Sequence, residues 1–77
     1  MMSPRLPRLT AFELLRALRR DGWQAIRQSG SHIALKHAIK KGRITVPNHS
    51  GITIKPKTLE TILKQAEHTI DELRELL

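Results

Sequence analysis

Residues 23–47 alternate in a pattern that leaves few folds open. Trp23 to Gln28, Ser31 to Ala38 and Arg43 to Pro47 are short stretches separated by the turn signals Ser29-Gly30 and Lys40-Lys41-Gly42. In the second stretch His32, Ala34 and Lys36 alternate with Ile33, Leu35 and His37. In the third, Ile44 and Val46 alternate with Arg43 and Thr45. A period of two is the signature of a strand with two unlike faces. Strands joined by such short turns run antiparallel, as a meander. Trp23 and Ile26 have opposite parity, so the first strand is expected to carry a bulge or an irregular start. Arg27 can then reach either face.

Three strands are stable only if one face is covered. The flanks supply the cover. Ala11, Leu14, Leu15 and Leu18 recur at helical spacing, and Phe12 extends that stripe. Thr10 and Glu13 have capping-box spacing, and Asp21-Gly22 ends the helix at about residue 20. "KPKTLETILKQAE" reads as a second amphipathic helix, with Pro56 in its first turn and Leu59, Ile62, Leu63 and Ala66 as its stripe. Thr69 and Glu72 repeat the capping box, opening a short C-terminal helix or continuing the second. Asn48 to Ile54 is a loop. The expected architecture is α+β: helix, three-stranded antiparallel sheet, helix, with a short C-terminal helix. Residues 1–9 read as an arm and residues 10–77 as one domain. The helices should cover Ile33, Leu35, Ile44 and Val46, leaving His32, Lys36, Arg43 and Thr45 on the open face. Phe12 and Trp23 are assigned to the core, which argues against an aromatic base-stacking platform.

Charge narrows the function. The 77 residues carry 14 Lys and Arg against 7 Asp and Glu, a net charge of +7. Between Arg16 and Lys57 the only acid is Asp21. That imbalance points to a polyanion, nucleic acid above all. The chain has no cysteine, so neither disulfides nor thiolate zinc sites are available to it. "MMSPRLPRL" has no apolar run. It reads as neither a signal peptide nor a membrane span, so a cytoplasmic protein with no membrane partner is expected.

Three ordered segments carry a family resemblance. "GWQAIRQSGSH" (22–32), "ITVPNH" (44–49) and "KPKTLETILKQA" (55–66) together resemble the HicA, or YcfA-like, family of mRNA interferase toxins from type II toxin–antitoxin pairs. The resemblance implies a fold like a double-stranded-RNA-binding domain. It implies an endoribonuclease that cleaves mRNA, neutralised by a HicB-type antitoxin. The family's catalytic histidine corresponds to His32, and the histidine of its "VP-x-H" segment to His49. Two departures stand out. Lys57 precedes Thr58 where the family often has glycine, and Glu67 follows "QA" where glycine often ends the helix.

RNA supplies its own nucleophile, the 2′-hydroxyl, so a base and a cationic surround can cut it without a metal. Histidine suits the base because imidazole titrates near neutral pH. Lys36, Arg27 and Arg43 are placed to stabilise charge on the phosphate. Ser31 can bond a phosphate or cap its turn. His49 can donate a proton to the leaving oxygen or bond its own loop. His37 and His68 are expected at the solvent or in local packing. His32 and His37 have opposite parity and no carboxylate lies near them in sequence, so no metal or other cofactor is expected. The alternative to the nuclease is a non-catalytic RNA-binding module.

Overall fold

The computed structural model describes residues 6–49 and 51–77. Helix α1 spans Ala11–Asp21. Its capping box is formed, with Glu13 Oε1 accepting the Thr10 N–H at 3.0 Å and the Thr10 hydroxyl oxygen accepting the Glu13 N–H. Gly22 ends the helix at φ 109°, its N–H bonded to the Arg19 carbonyl. Glycine is needed there twice over. The dihedral is left-handed, and a Cβ would lie 2.7 Å from His37 Nε2.

Strands β1 (Trp23–Ser29), β2 (His32–His37) and β3 (Arg43–Pro47) form an antiparallel sheet in the order β1-β2-β3. Gly30, at φ 58°, occupies the first position of a two-residue turn, the pattern of type II′. The expected irregularity in β1 is a bulge at Ile26. Ala25 pairs with Leu35, but Arg27 pairs with the next residue of β2, Ala34. An unbulged strand would give Arg27 the parity of buried Trp23 and point it at the helices. The extra residue turns it to the open face.

The other face is the core. Ile33, Leu35, Ile44 and Val46 are buried under Leu14, Ala17 and Leu18 of α1 and the apolar side of the second helix. Helix α1 packs on β1 and β3, and α2 (Pro56–Gln65) packs on β3. Leu59, Ile62 and Leu63 are the buried side of α2. Each such side chain contributes roughly 1.5–3 kcal/mol when fully removed from water.

The C-terminal segment is a separate helix, α3 (Ile70–Leu76), packed against α1. The break is a Schellman turn. The His68 N–H bonds the Leu63 carbonyl at 2.9 Å and the Glu67 N–H bonds the Lys64 carbonyl at 3.2 Å. Glu67 takes φ 56°, the conformation that glycine supplies more easily. The second capping box, Thr69 with Glu72, then opens α3.

One expectation, the placing of Phe12 in the core, needs revision. Of the arm at residues 1–9, residues 6–9 are described and pack on the domain. Leu9 is buried, and its carbonyl accepts the Ile54 N–H at 2.7 Å. The rest of the arm lies outside the described residues. Phe12 is not core: it is 71 % exposed. It sits about 100° round the helix from Ala11, in line with Arg16 and Arg19 rather than with Leu14 and Leu18. Trp23, by contrast, is fully buried. No helix among the described residues is long and apolar enough to cross a membrane.

Candidate functional site

Residues directly opposite on antiparallel strands share a face. The register therefore orders the open face into three rows. Ser29, His32 and Pro47 form the first, Arg27, Ala34 and Thr45 the second, and Gln24, Lys36 and Arg43 the third. His32 stands at the hairpin end with Arg27 diagonally behind it. Ala34 in the middle row is small, so the face is low between the cations. Arg27, Lys36 and Arg43 are all exposed. They are thus brought onto one face with His32. Ser31 is not on it. It is the second turn residue, and its carbonyl accepts the Asn48 N–H. That bond ties the loop after β3 to the turn before β2, so His49 lies at the His32 end of the sheet.

The four histidines divide into two kinds. His32 and His49 are exposed, and neither ring makes a hydrogen bond or ion pair among the described residues. His37 and His68 are held in the fold. The His37 side chain is 9 % exposed and meets Trp23 edge-on, with ring centroids 5.2 Å apart. Its Nδ1 accepts the N–H groups of Ile39 and Lys40, both at 3.0 Å, so Nε2 carries the proton it donates to the Asp21 carbonyl at 2.7 Å. The His68 side chain is 4 % exposed, with Nε2 2.7 Å from Asp21 Oδ2. That approach lies outside aligned hydrogen-bond geometry, and its Nδ1 has no hydrogen-bond partner among the described residues.

Asp21 gathers these groups. Its carboxylate accepts the Lys40 ammonium at 2.9 Å and the Trp23 indole N–H at 3.2 Å. Burial pushes its carboxyl up, but Lys40 and His68 together outweigh burial and hold it below the usual range. The Lys40 ammonium also donates to the Ala66 carbonyl at 3.0 Å. The hub thus links the end of α1, the β2–β3 turn and the end of α2. It lies away from the open face and leaves His32 and His49 as the exposed histidines, with no ring partner among the described residues.

Sequence reasoning passed over Ser29 and Gln24 on the open face. The signal for Ser29 was present: a two-residue Gly30-Ser31 turn makes Ser29 and His32 cross-strand neighbours. His49 also borders two surface clefts. One opens toward Phe12 and the start of α1, and the other is lined by Pro47, Ile52, Thr53, Ile54, Lys55 and Thr58.

Residues 12–67 match the family described as HicA toxin of bacterial toxin-antitoxin. The match takes in the whole sheet, the loop bearing His49, and α2. No curated protein matches the chain.

Proposed function

Because the chain belongs to the HicA toxin family of bacterial toxin–antitoxin systems, with an antitoxin as its partner, we propose that it is an mRNA-cleaving endoribonuclease with His32 as general base. The observation that carries the reading is the free, exposed His32 ring at the end of a face bearing Arg27, Lys36 and Arg43. A HicB-type antitoxin is the partner the resemblance implies, and an acidic surface laid over this face fits the charge.

The chemistry follows from RNA itself. An unprotonated His32 nitrogen takes the proton of the 2′-hydroxyl. The freed oxygen attacks the adjacent phosphorus, and the bond to the 5′-oxygen breaks. The products are a 2′,3′-cyclic phosphate and a 5′-hydroxyl end. Arg27, Lys36 and Arg43 stabilise the charge that gathers on the non-bridging oxygens. The leaving oxygen needs a proton, for which His49, a lysine and water are the candidates; the Asn48–Ser31 bond, which ties the His49 loop to this end, supports His49. No metal enters these steps.

The test pairs the protein with His32→Ala on single-stranded RNA in EDTA. The native chain should yield fragments with cyclic-phosphate ends and arrest growth when expressed without antitoxin. His32→Ala should do neither while melting at an unchanged temperature. Equal cleavage by both would remove His32 from the mechanism. Salt-sensitive RNA retention without any cleavage would favour the non-catalytic binding module.

A further inference from the structure

We propose that the cleft between the start of α1 and the loop after β3 holds an unpaired nucleobase of the RNA, stacked on Phe12. This rests on the RNA-cleaving reading above and adds a specificity subsite to it.

The cleft has a volume of about 400 Å³ and is lined by Thr10, Ala11, Phe12, Asn48, His49 and Gly51. That is within the range of small-ligand sites. None of these side chains is a lysine, arginine or carboxylate. The cleft therefore differs in kind from the cationic sheet face. A phosphate belongs with Arg27, Lys36 and Arg43, whereas a flat, neutral, polar-edged group belongs here. Phe12 offers a stacking surface. It is 71 % exposed, whereas the helix buries Leu14 and Leu18 and packs the partly buried Leu15 against the core. Asn48 can donate to and accept from a base edge at once. The His49 imidazole adds a second planar group. Base-on-aromatic stacking is the usual way proteins grip single-stranded RNA.

Position makes the cleft part of the same site. Pro47 is the cross-strand partner of His32, and the Asn48 N–H bonds the Ser31 carbonyl. Directly opposed Cα atoms are about 5 Å apart, and two further residues add at most about 7 Å. The His49 backbone is thus within about 12 Å of that of His32, the reach of a nucleotide near the scissile one. Arg16 stands one helical turn beyond Phe12 on the same exposed side, where it can meet the phosphate of a base held in the cleft.

The probe is a short unstructured oligoribonucleotide carrying 2-aminopurine, and the parent protein is the 77-residue chain with His32→Ala, expected to bind without cutting. Phe12→Ala should weaken binding about 5- to 150-fold and abolish the fluorescence change on stacking. Phe12→Trp should retain both. The slope of log affinity against log salt should fall in magnitude by no more than about 0.7 in Phe12→Ala, the one phosphate contact at Arg16 that leaves with the base. Phe12 is exposed, so folding is expected to survive, and a melting curve checks it. Unchanged affinity in Phe12→Ala overturns the subsite while leaving the RNA reading intact. Unchanged RNA affinity with weakened antitoxin binding overturns it in favour of a protein contact. If the parent binds no RNA even at low salt, both readings fall.

Discussion

Asp21 shows how one carboxylate can serve the fold of a basic chain. Its carboxyl lies below the usual range because Lys40 and His68 outweigh burial. A depressed folded value means stability that is complete above the unfolded value of about 3.9 and lost as pH falls through the folded one. Asp21→Asn should therefore cost about 1.5–3 kcal/mol at pH 7, as for a hydrogen bond to a charged group. The gap between the two proteins should close below about pH 4. Urea melts at pH 7 and pH 3 read this directly, and an undiminished gap at pH 3 would contradict it. Glu67 gives an opposite case. Its φ of 56° costs a non-glycine residue roughly 1–2 kcal/mol. Glu67→Gly should recover about 1 kcal/mol, after the entropy glycine adds to the unfolded chain; a lower melting temperature would count against this account. Sequence flagged Glu67 as the place where a glycine was missing, but could not say whether the helix ran on. The hydrogen bonds of a Schellman turn decide that, and backbone bonding leaves no mark on residue identity. Phe12 was misread for a simpler reason. An apolar residue beside an apolar stripe looks like part of it until its angle round the helix is compared with that of the arginines.

At the scale of elements, the bulge in β1 decides what the open face contains. The parity conflict between Trp23 and Ile26 announced an irregularity, yet its position, and hence the face of Arg27, depends on pairing with β2. The strands, the turns and both capping boxes were legible because each rests on local spacing. The Asp21 hub was not, since it joins residues from α1, the β2–β3 turn and the α2–α3 connection. Deleting Ile26 should flatten β1 and force a choice: either Trp23 stays in the core and Arg27 turns toward the helices, or the strand slips. The first removes Arg27 from the open face and the second takes Trp23 out of the core, while Lys36 and Arg43 keep their pairing across β2 and β3. The deletion variant should thus lose stability and bind RNA more weakly, whereas Ile26→Ala keeps the register and should retain binding. Loss of binding in both would show that the Ile26 side chain, not the bulge, is what matters. Helix α2 makes a separate point. Its N-cap is Lys55, with no side-chain cap bond and no acid in the first turn. Lys55→Ser should stabilise the fold by about 1 kcal/mol in a denaturant melt, with no gain if water already satisfies those N–H groups equally well.

For the whole molecule, the question is whether its charge of +7 acts as a diffuse field or through one face. The fold separates the two. Arg27, Lys36 and Arg43 lie in adjoining rows of the open sheet, whereas Lys64 is exposed on α2, in the layer that covers the opposite face. Each phosphate neutralised on single-stranded RNA releases counterion, so log affinity falls with log salt by about 0.7 per contact. In the His32→Ala chain, alanine at Arg27, Lys36 or Arg43 should each lower the magnitude of that slope by about 0.7. Lys64→Ala should leave the slope where it was, with only a small, uniform loss of affinity from the reduced net charge. Fluorescence anisotropy across a salt series measures all four variants. Equal slope changes in Lys64→Ala and the three face variants would mean that RNA is held by charge wherever it lies. The sheet face would then have no special claim on the substrate, and His32 would have no fixed phosphate to act beside.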